Sequence, residues 1–245
     1  MRVAIMQPYL FPYIGYFQLV GCVDRFVVYD NIKYTKKGWI NRNRMLVRGT
    51  DEMFSVPIRK DSDSLDVVQR ELGEAWPDER TRLLNRFRAN YRKAPEFERT
   101  MALVEACLSH PDTNLFGFLL NSIRAVCSHL GIATPLVVSS GVAADHTLRS
   151  QDRVIAICKA LGASEYVNPI GGLELYEPET FRAHGINLLF HRARAVPYEQ
   201  AGGEFVPFLS IIDVLMFNPT NEVARMVRED FSLTPDGSAN PLPES

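Results

Sequence analysis

Metal-binding patterns are missing from this 245-residue chain. Its four cysteines, Cys22, Cys107, Cys127 and Cys158, form no CxxC pair, and its five histidines, His110, His129, His146, His184 and His191, show no HExxH spacing. A structural zinc site finds no support in these spacings, so no metal is expected and the thiols read as buried and free. Long apolar runs are missing too. Gln7, Pro8 and Pro12 interrupt the opening MRVAIMQPYLFPYIG before a signal-peptide core or a spanning helix can form, which predicts a cytoplasmic protein with no membrane insertion. Excess charge of one sign is also absent. With 27 Lys and Arg against 29 Asp and Glu, nothing global suggests a protein that coats nucleic acid, DNA is not an expected partner, and any anion recognition must be local.

What is present is a globular chain, 46% hydrophobic and 23% charged, long enough to bury a sizeable core. Val3 to Met6 reads as a buried strand, Gln7 to Pro12 as a turn, Tyr13 to Cys22 as a helix and Arg25 to Tyr29 as the next strand. Further strands are expected at Met53 to Pro57, Pro135 to Val138, Ser164 to Val167 and Ile186 to Phe190. Helices are expected at Asp78 to Arg92, Glu96 to Leu108, a segment capped by Asn114 that runs to about Leu130, and Gln151 to Leu161 ended by Gly162. The C-terminal third alternates helix and strand, with Pro178 to His184 preceding Ile186 to Phe190, and Ser210 to Phe217 preceding Asn221 to Asp230. This order predicts an α/β, Rossmann-like layered fold with a mainly parallel sheet. It forms a single domain over residues 1–232, with a helical insertion at about 75–131, and residues 233–245 read as a flexible C-terminal tail rich in Pro, Gly, Ser and Asn.

One segment concentrates positive charge. Lys33, Lys36, Lys37, Arg42, Arg44 and Arg48 occur with no acidic residue among them, interleaved with Tyr34, Trp39, Asn41 and Asn43. Cations, stacking rings and amides suit a phosphate- or carboxylate-bearing ligand, although a solvated basic loop explains a charge run as well. In α/β proteins ligands settle at the carboxyl ends of strands, which directs attention to the loop Gln7 to Gly15, with Tyr9, Tyr13 and Tyr16. There Tyr13-Ile14-Gly15-Tyr16 has the spacing of the HIGH signature of adenylating enzymes, with tyrosine in both histidine positions; an aromatic packing cluster is the plainer reading. Ser139 and Ser140 before Gly141 can form an anion nest or a simple turn. Asn168 with Gly171 and Gly172 can admit a ligand to the backbone or make a tight turn. Ser210 matches a helix cap, Asp213 sits in an apolar run that makes it a candidate general base, and His191 ends a strand as a candidate acid or base.

Four blocks carry a family resemblance: MQPYLFPYIGYFQLV, DRFVVYDNIKYTKKGWINRNRM, ICKALGASEYVNPIGGLELY and FVPFLSIIDVLMFNP. In this order they resemble the WbqC-like protein family from Met1 to about Pro219. The family pattern falls on Gln7, Pro8, Tyr9, Pro12, Gly15, Tyr16, Asp30, Lys36, Trp39, Asn41, Arg42, Asn43, Tyr166, Gly171, Gly172, Tyr176, Ser210, Asp213 and Asn218. Met6 stands where many relatives carry histidine, so no catalytic role is transferred to that position. The resemblance implies a link to O-antigen and other surface polysaccharides and an aminoacyl or glycyl transfer. Combined with the residues, it leads to an amide-forming acyl or aminoacyl transferase acting on a nucleotide-linked amino sugar. In that expectation Lys36, Arg42 and Arg44 neutralise the diphosphate, Trp39 or Tyr34 stacks, and Asp213 or Asp30 takes the amine proton. ATP, an acyl-CoA or an aminoacyl-tRNA are the candidate sources of the activated carbonyl. The alternatives are an ATP-dependent adenylating ligase and a non-catalytic sugar- or nucleotide-binding protein.

Overall fold

A computed structural model describes residues 1–201 and 203–238. The first unit runs from β1 (Arg2–Met6) through α1 (Ile14–Gly21) to β2 (Arg25–Val28). Next come a hairpin of β3 (Arg42–Val47) and β4 (Thr50–Ser55), and three helices, α2 (Trp76–Tyr91), α3 (Phe97–Leu108) and α4 (Leu115–His129). Regular alternation then resumes with β5 (Leu136–Val138), α5 (Ser150–Leu161), β6 (Glu165–Pro169), α6 (Pro178–Ala183) and β7 (Asn187–Ala193). The chain closes with α7 (Ile211–Phe217), α8 (Thr220–Glu229) and β8 (Phe231–Thr234).

Six strands form one sheet in the order β5-β2-β1-β6-β7-β8, parallel throughout except for β8. Counted along the sheet's own strands, the order is third, second, first, fourth, fifth, sixth, and the direction of winding reverses between β1 and β6. In such sheets the crevice at that reversal is where ligands bind. Successive side chains point to opposite faces. Ala4, Phe26 and Val28 join a core with α1, α7, α8 and the helices of the insertion, while Val3, Ile5, Val27 and Tyr29 pack under α5 and α6.

Local chemistry explains the element ends. The Asn114 side chain accepts from the Gly117 amide at 3.2 Å and caps α4, and Gly162 closes α5 with φ +72°. Ser210 caps α7 by accepting from Ile212 N at 3.3 Å. Two expectations change. The basic segment is not all loop, because Arg42–Val47 pairs antiparallel with Thr50–Ser55, so the strand expected at Met53 to Pro57 begins and ends earlier. Leu233 and Thr234, expected to open a flexible tail, instead belong to a strand, since Phe231–Thr234 pairs with β7 and its ladder satisfies the backbone; residues 239–245 of the expected tail lie outside the described residues. Among the described residues no helix is long and apolar enough to cross a membrane.

Candidate functional site at the carboxyl edge of the sheet

The loop after β1 is the frame of the site. Its Phe11 has φ +40°, a conformation costly for a side-chain-bearing residue, and two other segments hold it there. Asn43, buried on β3, donates Nδ2 to Leu10 O at 3.0 Å and Phe11 O at 2.8 Å. Ser210 donates Oγ to Phe11 O at 2.8 Å, and Ile211 N donates to Pro12 O at 2.9 Å. Leu10 N donates to Ile40 O. The start of α7, the hairpin and the first loop are thus locked together by buried hydrogen bonds.

Above this frame, at the β1/β6/β7 edge, lies a cavity of about 400 Å³. Its walls are the rings of Tyr9, Tyr13, Trp39 and Phe208; its cations are Arg44 and Arg192, and Gly171 contributes backbone. Arg44 sits 5.7 Å from the Trp39 ring centroid, donates to Asp51 at 3.0 Å and to Phe208 O at 3.1 Å, and keeps Nε buried without a partner. Phe208 itself has φ +56°, which turns its ring to pack edge-on against Tyr13. A Cβ on Gly171 would meet no atom within 4 Å, so the backbone there is open to a ligand, whereas a Cβ on Gly172 would collide with Asn168. Burial pushes the Tyr9 phenol up to about 12, with the Tyr13 ring adding to it, and burial raises Tyr13 as well, so both remain hydrogen-bond donors at neutral pH.

Of the sequence candidates, Tyr9, Tyr13, Trp39, Asn43, Arg44 and Gly171 line this cavity together. The rest of the sequence candidates separate. Tyr16 is core: its hydroxyl donates to Gln7 O at 3.1 Å and its ring packs against Phe26, so the second position of the HIGH-like signature does not face the cavity. Gly15 serves Tyr13, whose ring occupies the space a Cβ would take. The Gln7 side chain makes no hydrogen bond among the described residues and remains available at the end of β1. Tyr34 donates to Asn41, Asn41 donates to Val56 O, Arg42 donates to Gly38 O, and Lys36 pairs with exposed Asp63. These contacts are local. The trio Lys36, Arg42 and Arg44 does not converge on one phosphate, because each is held by its own partner, Lys36 by Asp63, Arg42 by Gly38 O, and Arg44 by Asp51 and Phe208 O.

The carboxylates and the histidine also differ from expectation. Asp213 is fully buried, and its oxygens accept from Tyr198 at 2.6 Å, Gln200 at 2.9 Å and Tyr91 at 2.9 Å. Burial raises its pKa and the three hydrogen bonds pull it back; with no surface and no free oxygen it ties α7 to α2 and the 198–200 segment. Asp30 follows β2, is 3% exposed and accepts from the Ser140 amide at 2.9 Å. That bond closes the Ser139–Gly141 turn, and Ser139 donates to Asn31, so the turn is not an empty anion nest. Asn168 bonds Tyr166 and Pro169 O within its own strand end. His191 is 1% exposed beside Phe231, and burial drives its pKa down to about 4, so the ring is neutral, with Nε2 unpaired. Sequence reading missed Arg192 and Phe208. Arg192 follows an expected strand, so the strand-end rule could have found it; the left-handed backbone at Phe208 leaves no trace in residue type.

The described residues include no group of three or more His, Cys, Asp or Glu placed to hold a metal. Fold and site together define an α/β protein with a doubly wound order and an aromatic, cationic cavity at the reversal of its sheet. The chain belongs to the WbqC-like protein family, whose pattern matches residues 7–225. It is 31% identical over 233 residues to Rv1507c, an uncharacterized protein of Mycobacterium tuberculosis, covering 93% of this chain and 97% of that one. No solved structure matches the chain.

Proposed function

We propose that this protein is a transferase that binds a nucleotide-linked amino sugar and acylates the sugar amine, with a glycyl or other aminoacyl group as the donor's acyl part, in the assembly of bacterial surface polysaccharide such as O-antigen. The observation that supports this reading is the cavity at the winding reversal, where Trp39, Tyr9 and Tyr13 offer stacking surfaces for a base or sugar and Arg44 and Arg192 offer charge for a diphosphate. In the reaction the amine nitrogen attacks the activated carbonyl, a C–N bond forms, the bond to the donor's leaving group breaks, and the amine loses a proton. The reading gives that proton to Asp30, since Asp213 has both oxygens committed to buried donors. The donor is an acyl-CoA, an aminoacyl-tRNA or an acyl adenylate made from ATP.

Mass spectrometry of a purified-protein reaction containing a nucleotide-linked amino sugar and each donor class tests it. Acylated sugar formed by the wild type and lost in Asp30→Asn, with sugar binding retained, is the expected result; full turnover in Asp30→Asn removes Asp30 from the role of base. A second reading rests on a specific observation: among the described residues no carboxylate or histidine lines the reversal cavity. A non-catalytic nucleotide-sugar-binding protein needs none, and it predicts binding with no product from any donor.

A further inference from the structure

A second, larger cavity of about 720 Å³ opens over the other half of the same sheet edge, beyond β2 and beside the first turn of α5. Its cations are Lys33, Arg149 and Arg153, and Asp66 is the one carboxylate among its lining residues. Several arginines elsewhere are tied into ion pairs, as Arg86 is to Glu52 and Arg225 to Glu222. Lys33 and Arg149, by contrast, are exposed and form no ion pair among the described residues. Three like charges gathered around one concavity repel each other, and that arrangement is stabilised when an anion enters.

The back wall is a fixed polar network. The Arg153 guanidinium lies 5.1 Å from the Tyr29 ring centroid, with Nε buried and unpartnered. His146 Nε2 is 2.9 Å from Val142 O, and because a carbonyl only accepts, Nε2 carries the hydrogen. In the neutral ring Nδ1 then accepts from Asn31 Nδ2 at 3.2 Å and faces an Arg153 nitrogen at 3.4 Å. Asn31 accepts in turn from buried Ser139. Arg153 is thereby pre-oriented by Tyr29 on one face and His146 on one edge, leaving the remaining guanidinium donors for a ligand. Tyr176 supplies an aromatic wall for an organic body.

We infer that this cavity is a second anion site, separate from the one at the winding reversal, and that it takes the phosphate or diphosphate of a phosphate-bearing ligand. A planar guanidinium fork with two flexible cations at the rim is the donor set that phosphate oxygens use, and the volume accommodates a phosphate with a small organic group attached. In the transferase reading this is the seat for the phosphates of the activated acyl donor; the site stands without that reading, since it rests on its own residues.

Calorimetric titration of the full chain with inorganic pyrophosphate at low salt, using the wild type, Lys33→Glu/Arg149→Glu and Arg44→Ala, tests the assignment. The expected result is saturable binding by the wild type and by Arg44→Ala, weakened at least tenfold in the double variant. Both reversed side chains are exposed, and coincident melting curves confirm that the variant is folded. No binding by the wild type, wild-type affinity in the double variant, or loss of binding in Arg44→Ala would each overturn the second site. Nucleotide-sugar titrations on the same three proteins report separately on the reversal cavity, so failure of one reading leaves the other measurable.

Discussion

The two cavities at the carboxyl edge are built on different principles. The one at the winding reversal has walls of aromatic rings over a frame of buried hydrogen bonds, and its Arg44 is already partnered by Asp51 and Phe208 O. The one beside α5 has rim cations that form no ion pair among the described residues, backed by a histidine and asparagine network. The first is held in shape by its hydrogen-bonded frame. The second is dominated by charge and attracts by field, which salt screens readily at its exposed rim.

The strongest way to break the contrast is to remove the frame. Asn43→Ala leaves the Leu10 carbonyl without its buried donor, strips Phe11 O of one of two donors and frees the Arg44 amide, which Asn43 Oδ1 accepts at 2.8 Å. About 3 kcal/mol of stability should be lost in urea unfolding, together with nucleotide-sugar binding. A loss under 1 kcal/mol would mean that Ser210 and Ile211 hold the loop alone.

Acid separates the cavities next. His191 lies on β7 two residues before Ala193 of the reversal cavity, and its folded pKa is depressed to about 4 against 6.5. Between those values the unfolded chain binds the proton that the folded chain refuses, so stability is present above pH 6.5 and is lost as pH falls through 4, by about 3 kcal/mol in all. His191→Phe should flatten that slope in melts across pH 4 to 7, and an unchanged slope would place the acid sensitivity elsewhere. Asp213 contributes with the opposite sign. Its folded pKa is raised, so its contribution is greatest below the ordinary aspartate range and falls as pH rises through the raised value. Asp213→Asn keeps the shape and should remove that component.

Two smaller effects sharpen the picture. Arg44→Ala should weaken nucleotide-sugar binding about tenfold and leave pyrophosphate binding beside α5 untouched. Gly15→Ala should change stability by less than about 1 kcal/mol, because only the Tyr13 ring has to move, yet it should reduce affinity at the reversal cavity by displacing that ring. Equal affinity in Gly15→Ala would show that Tyr13 is not part of the binding wall.

The elements with strong periodicity were legible in the chain. β1, α1, β2 and the three helices of the insertion stand within a few residues of expectation, because buried strands and amphipathic helices leave their spacing in the sequence. β3 was not legible. Its arginines and asparagine obscure an alternation in which Asn43 and Met45 point inward, and only pairing with β4 reveals it. β8 was hidden by the polar composition of the residues that follow it. The mixture of rings and cations after β2 marked a segment that lines both cavities, but six cations of equal chemical kind cannot be sorted by residue type. Lys33 faces one cavity, Arg44 the other, and Lys36 pairs with Asp63 on the surface. Asp213 carried the most suggestive local context and turned out to be the most completely hydrogen-bonded carboxylate in the site's surroundings.

By itself the sequence determined the α/β class and the family, because apolar period, turn residues and ordered motif blocks act over short chain distances. Only the tertiary structure decided the strand order, the place where it reverses, and which side chains meet there. Asn43, Ser210 and Phe11 are far apart in the chain and have no local reason to share hydrogen bonds, and Arg153 meets Tyr29 only after β2 and α5 pack against each other. Those contacts depend on the geometry of the closed core, which no window of neighbouring residues contains.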